Sequence, residues 1–170
     1  GFQALEANTT GTGNVAIGVY ALDAITTNNY ATAVGFNALT ANTASNVVAV
    51  GAYSLTANTT GDYNTALGYS ALELNTTGSN NTGLGHKALE ANTTADNNTA
   101  VGYQALLANT TGHSNVAVGA EALVAGTTSL RNTAIGYQTL YTCTTGADSN
   151  VAIGYRTMKL DTTGDNNNAI

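Results

Sequence analysis

Proline and tryptophan are absent from this 170-residue chain, cysteine occurs once, and charged residues make up only 8%, against roughly 25% in an ordinary soluble domain. Each shortage excludes something. A lone Cys143 cannot close an internal disulfide. The fixed positive charges are Lys87, Arg131, Arg156 and Lys159, and the net charge is −6. A polynucleotide partner therefore lacks its usual electrostatic drive, the release of phosphate counterions by basic side chains. Anionic lipid is equally unattractive, and no apolar run approaches the ~20 residues of a spanning helix, so membrane insertion is not expected. The acids are scattered and form no tail or metal-binding cluster.

What the chain has instead is a repeat. Glycine recurs at Gly1, Gly18, Gly35, Gly51, Gly68, Gly85, Gly102, Gly119, Gly136 and Gly154, with steps of 16 to 18 residues and mostly 17. The consensus unit is G-Y-x-A-L-x-A-N-T-T-G-x-x-N-T-A-V, and the ten units form a single repeat domain over residues 1–170. The third unit is one residue short and the ninth one residue long.

Certain columns hardly vary. Position five holds Leu5, Leu22, Leu39, Leu55, Leu72, Leu89, Leu106, Leu123, Leu140 and Met158. The unit closes on Ile17, Val34, Val50, Leu67, Leu84, Val101, Val118, Ile135, Ile153 or Ile170, preceded by Ala in every unit but the fifth, which has Gly83. Both columns are expected to form a continuous core. Position nine is Thr9, Thr26, Thr43, Thr59, Thr76, Thr93, Thr110, Thr127, Thr144 and Thr162. Asparagine recurs at position fourteen, as in Asn14, Asn64, Asn81, Asn98 and Asn115. These Thr and Asn columns are expected to form ladders that hydrogen-bond along the stack.

Seventeen residues are too few for a helical repeat, which takes about 33 to 47. The segments are also broken by Gly, Asn and Thr-Thr, all poor in helix interiors. The pattern predicts two short extended segments per unit, N-T-A-V-G-Y and A-L-x-A, joined by a glycine bend and an N-T-T-G turn. Such a unit cannot bury its apolar side alone, whereas stacked units bury it against their neighbours. The expected fold is all-β, a parallel β-solenoid; at ~4.8 Å per stacked strand it makes a rod about 48 Å long.

Aromatic residues follow the repeat. Position two carries Phe2, Phe36, Tyr69, Tyr103, Tyr137 and Tyr155, and where it is Val19 or Ala52 the next residue is Tyr20 or Tyr53. A ring is wanted near that spot, in a ring stack or between chains. The chain begins at Gly1 without Met and stops where the next glycine is due. A fragment of a longer fibre, or copies stacked end to end, is the expectation.

The motif around each glycine, as in Asn14-Val15-Ala16-Ile17-Gly18 and Asn150-Val151-Ala152-Ile153-Gly154, resembles the head repeats of trimeric autotransporter adhesins. The stretch Asn98-Thr99-Ala100-Val101-Gly102-Tyr103-Gln104-Ala105-Leu106 is similar to repeats of tail-fibre-type proteins. The resemblance implies a left-handed β-roll packed as a homotrimer. It also implies a place outside the cell, at a cell surface or on a virion, and an unknown surface receptor.

No catalytic constellation is present, so a non-enzymatic role without cofactor or metal is expected. His86 and His113 occupy different repeat positions and do not align. Cys143 stands in a column where Asn is usual and reads as a small turn residue. Asp62, Asp96, Asp148 and Asp165 read as a solvated turn face, because the glycine–aspartate nonapeptide of calcium-binding β-rolls is missing. The sequons at Asn8, Asn58, Asn75, Asn80, Asn92, Asn97 and Asn109 read as by-products of the repeat. A structural or adhesive fibre segment is the first expectation. The alternatives are an ice-binding solenoid using the Thr columns and a self-polymerising filament of single-chain solenoids. Against ice binding, neighbouring Thr residues on a strand face opposite ways.

Overall fold

Threonine and valine stiffen the backbone towards extended geometry, and every coil but the last forms its strand where they gather. The computed structural model, which describes residues 1–144 and 146–170, has ten of them. They are β1 (Val15–Ile17), β2 (Thr32–Val34), β3 (Val48–Val50), β4 (Thr65–Leu67), β5 (Thr82–Leu84), β6 (Thr99–Val101), β7 (Val116–Val118), β8 (Thr133–Ile135), β9 (Val151–Ile153) and β10 (Asn168–Ala169). All lie parallel in one sheet in chain order. Each residue faces its counterpart one repeat away, as Thr99 faces Thr82 on one side and Val116 on the other. The fold is thus a parallel β-solenoid.

The two irregular units keep this register. Thr32 still pairs with Val48, and Thr133 with Val151. The third coil omits a residue in its Asn-Thr turn, where Asn42 Nδ2 donates to Ala44 O and Ala44 N to Asn42 Oδ1. The extra residue of the ninth coil falls in the equivalent turn, before Ala147. Length changes are absorbed where no strand pairing depends on them.

The A-L-x-A segment, expected to be the second extended stretch of each unit, forms no strand. Position three is left-handed in every coil (φ 52° to 60°), and so is the Leu/Met column (φ 50° to 57°). A left-handed L-residue costs roughly 1–2 kcal/mol, and here the stacking contacts offset it. Leu106 N donates to Ala122 O and Ala108 N to Val124 O of the next coil, while Gln104 N donates back to His86 O. The turn is therefore hydrogen-bonded coil to coil as regularly as the sheet. Burying a leucine contributes about 1.5–3 kcal/mol more, and Leu22, Leu39, Leu55, Leu72, Leu89, Leu106, Leu123 and Leu140 are all fully buried.

The repeated glycine answers two demands at once. Gly102 has φ of 135°, and an added Cβ would stand 2.6 Å from the carbonyl oxygen of Gly119. The other glycines from Gly18 to Gly136 meet the next coil in the same way. Only a residue without a side chain lets the coils approach so closely.

The second expected core column faces the other way. A three-residue strand has one side chain pointing in and two pointing out, and the inward one is the central alanine. Ala33, Ala49, Ala66, Ala100, Ala117, Ala134 and Ala152 are fully buried. Of the closing residues, Ile17, Leu67, Leu84, Ile135 and Ile170 are exposed, with Ile17 at 59% and Ile170 at 98%; Val34, Val50, Val101, Val118 and Ile153 are half-buried. None of the ten belongs to the core. The physical reason is thickness: at Gly83 even a Cβ would lie 3.2 Å from Ala88 O and 3.3 Å from Leu72. The leucines already fill the space beneath the sheet, leaving room for a methyl group and no more.

Candidate functional site

Three long features could carry a function in such a rod: the inner amide columns, the turn face and the outer face of the sheet. Each is built by translation, because the same residue type recurs at the same place in successive coils.

Inside, asparagines pair with their own copies. At position fourteen, Asn81 Oδ1 accepts from Asn98 N at 2.9 Å, and Asn98 Oδ1 from Asn115 N at 3.0 Å. Each Nδ2 also reaches a turn carbonyl of the next coil, as Asn98 does to Gly112 O at 2.8 Å. Asn14 and Asn64 act in the same way towards Ala31 N and Asn81 N. A second amide ladder runs through position eight. Asn58 Nδ2 donates to Asn42 Oδ1, Asn75 to Asn58, Asn92 to Asn75 and Asn109 to Asn92, all at 2.7–2.9 Å and all fully buried. The sequence marks that column as sequons and as the start of the N-T-T-G turn, not as a ladder. Its signal was Asn recurring just before Thr in six coils, against eight for the column at fourteen.

The ladder ends where its residue type ends. Coil two has Ile25 and coil eight Gly126 at position eight. Among the described residues, Asn8 Oδ1 and Asn109 Oδ1, which face those coils, lack a hydrogen-bond partner. Cys143 occupies the same column, fully buried, and burial pushes its thiol up to about 11. A thiol so held stays protonated at neutral pH, the opposite of an activated nucleophile.

The turn face is polar and largely committed to the backbone. Threonines at position nine donate to the position-nine carbonyl of the next coil, as Thr59 Oγ1 does to Thr76 O at 2.9 Å. Thr9, Thr43, Thr76, Thr93, Thr110 and Thr127 repeat that bond. Position twelve accepts backbone N–H groups: Ser45 N donates to Asp62 Oδ1, Ser79 N to Asp96, Leu130 N to Asp148 and Asp148 N to Asp165. The four aspartates are thus acceptors in a coil-to-coil ladder. Among the described residues no three His, Cys, Asp or Glu side chains gather as a metal set. His113 lies exposed on this face, its Nδ1 3.3 Å from Ser114 Oγ. Lys87 pairs with Glu90 at 2.9 Å, and that hydrogen bond, with the carboxylate's charge, raises the lysine's pKa. The sequon asparagines divide: Asn58, Asn75, Asn92 and Asn109 are buried, whereas Asn80 and Asn97 are exposed.

The outer face of the sheet is apolar. Position fifteen is Thr or Val in every coil but the last, as in Thr65, Thr99, Val48 and Val116, beside the Ile/Val/Leu column. Next to it, around the glycine bend, rings stand one above another. Phe2, Tyr20, Phe36, Tyr53 and Tyr69 meet edge to face with centroids 5.4–6.4 Å apart. His86 then stacks flat between Tyr69 and Tyr103, 5.4 Å from each, and Tyr137 stacks on Tyr155 at 5.6 Å. Tyr20 and Tyr53 join from position three because that residue is left-handed, which places its ring in line with position two. On an extended strand the two would face opposite ways. His86 is exposed, and it is at the same time a member of the ring ladder.

Comparison with known proteins gives no match to a family model, to a curated protein or to a solved structure. Among the described residues no helix is long and apolar enough to cross a membrane.

Proposed function

We propose that this chain is a segment of a structural or adhesive fibre, and that copies of it pack side by side through the outer face of the sheet. The observation that carries this reading is the unbroken Ile/Val/Leu column, flanked by the ring ladder. It runs the length of the rod, with Leu67 and Leu84 45% and 39% exposed in the single chain. Contiguous apolar surface of that kind marks interaction sites, and a face built by translation fits best against another face with the same period. Three-fold lateral packing is what the resemblance to adhesin heads implies, and it would cover this strip on every chain.

In this reading the role is mechanical. Backbone, amide and hydroxyl ladders hold each coil to the next, and the stiff rod spaces or presents a receptor-binding part outside the cell. The ice-binding alternative is weakened by the bonds of the position-nine hydroxyls, which are turned to the next coil's carbonyls instead of to water. The deciding measurement is mass per unit length of the isolated particle by electron microscopy. One chain carries 17.1 kDa over about 48 Å at the usual strand spacing. A threefold value is expected. A single-chain value overturns lateral packing and leaves the filament of single solenoids.

A further inference from the structure

We propose that Asn80 and Asn97 are acceptors of N-linked sugar on the folded rod, and that folding closes the buried sequons at Asn58, Asn75, Asn92 and Asn109 to the same reaction. All six stand two residues before a threonine, the pattern an N-glycosyltransferase reads. They arise for different reasons. Position eight needs asparagine for its ladder. Position thirteen, which holds Asn80 and Asn97, varies from coil to coil, with Gly13, Tyr30, Tyr63, Ser114 and Arg131 among its residues. The local demand there is a left-handed backbone, with φ of 58° at Asn80 and 60° at Asn97, which asparagine tolerates. Asn46 and Asn166 share the column, but Val48 and Asn168 stand where the threonine would be. Within that column only Asn80 and Asn97 complete the sequon.

The chemistry separates the two groups. Asparagine Nδ2 attacks the anomeric carbon of a nucleotide-activated sugar. The bond from that carbon to the diphosphate oxygen breaks, the diphosphate leaves with the electron pair, and one amide proton passes to a base of the transferase. The acceptor amide must therefore reach solvent and give up a hydrogen. Asn80 and Asn97 are exposed. Their backbones are anchored, N–H to Asp62 O and Ser79 O of the preceding coil, and among the described residues neither side-chain amide holds a hydrogen bond. Thr82 and Thr99, which supply the sequon hydroxyls, are half-buried on the outer face of β5 and β6.

At position eight both amide hydrogens are in use. Asn75 Nδ2 donates to Asn58 Oδ1 and Gly78 O, and Asn92 Nδ2 to Asn75 Oδ1 and Ala95 O. Asn58 and Asn109 repeat the pair of bonds, and all four residues are fully buried. A sugar there would replace a ladder hydrogen and have no room. A transferase that met the unfolded chain would find these sites open, and its product could not rebuild the ladder. The modification therefore follows folding. Both acceptors lie in one chain, in neighbouring coils about 4.8 Å apart, so the proposal rests on neither lateral packing nor a fibre role.

The test treats the full folded chain with a soluble N-glucosyltransferase and uridine diphosphate glucose, and locates hexose by mass spectrometry of its peptides. A synthetic peptide of residues 70–100, too short to bury a stacked core, is treated in parallel. The peptide is expected to gain hexose at Asn75, Asn80, Asn92 and Asn97, and the folded chain at Asn80 and Asn97 but not at Asn58, Asn75, Asn92 or Asn109. Thr82→Val and Thr99→Val, which place in position fifteen a residue it already holds at Val48 and Val116, should each lower addition at their own asparagine at least tenfold. No hexose on Asn80 or Asn97 of the folded chain overturns the proposal, with the peptide showing whether folding or the local sequence is the cause. So does hexose at the buried sequons of the folded chain, or addition indifferent to the threonine substitutions.

Discussion

The inside and the outside of this rod exchange their customary residues. Asn58, Asn75, Asn92 and Asn109 are completely buried, while Ile17, Leu67, Leu84 and Ile135 lie exposed on the sheet. Hydropathy alone would place them the other way round. Two physical facts account for the exchange. A buried amide is costly only when unpaired, and translation supplies each asparagine with an identical partner one coil away. The sheet, for its part, lies so close to the leucine layer that only alanine fits beneath it, and strand alternation then forces its neighbours outward. In a solenoid, what repeats matters more than what is greasy.

The largest way to break this comparison is to put a charge inside. Leu106→Asp places a carboxylate among fully buried leucines with no partner, and a loss of about 4 kcal/mol or more is expected. Thermal unfolding followed by circular dichroism should show the loss, and full retention of stability would place the leucine column elsewhere. Next comes Asn92→Leu. It keeps the number of side-chain heavy atoms but leaves Asn109 Nδ2 and Asn75 Oδ1 without their ladder partners, at about 1–3 kcal/mol for each buried group stranded. A wild-type melting temperature would show that the amide ladder contributes nothing.

The opposite experiment sharpens the comparison. Gly126→Asn with Ser129→Gly continues the ladder into the eighth coil. Asn109 Oδ1 then gains a donor, and Ser129 Oγ no longer lies 3.0 Å from the new Cβ. A gain of about 1 kcal/mol is expected, read by denaturant midpoint at unchanged m-value; a loss would show that the ladder ends for a reason of space.

Cys143 tests the same interior by pH. Its folded thiol ionises near 11 because it is buried, whereas an unfolded thiol does so near ~8.5. Between those values the unfolded state binds fewer protons, so stability falls as pH rises from about 9 to about 11. Cys143→Ala should show a flatter profile over that window; identical profiles would place the thiol in contact with water.

The smallest expected effect on stability is Val101→Asp. This residue is half-buried on the outer face of β6, so the single chain should lose no more than about 1 kcal/mol. Lateral association, measured by sedimentation, should nevertheless be lost. A Val101→Asp chain as unstable as Leu106→Asp would return the closing column to the core.

The contrast between those two residues shows how far the sequence could be read. Both recur with the same period and both are aliphatic, so periodicity alone gave no reason to separate them. It did identify the leucine as buried, since a column of Leu before a polar turn has nowhere else to go. It missed the left-handed backbone at Gln104 and Leu106, because such conformations are unfavourable locally and persist only through coil-to-coil bonds. His86 was illegible for a related reason: nothing near it in the chain is aromatic, and its stacking partners Tyr69 and Tyr103 are each a full repeat away.

The sequence by itself determined the period, the stack, the leucine column and the glycine bends, because each follows from a residue type recurring at fixed spacing. Only the tertiary structure decided that alanine and not valine turns inward. It alone paired the asparagines at position eight and drew rings from two positions into one ladder broken at Ala120. Those outcomes depend on the distance between layers and on atoms one coil away. Neither quantity is written in any single repeat.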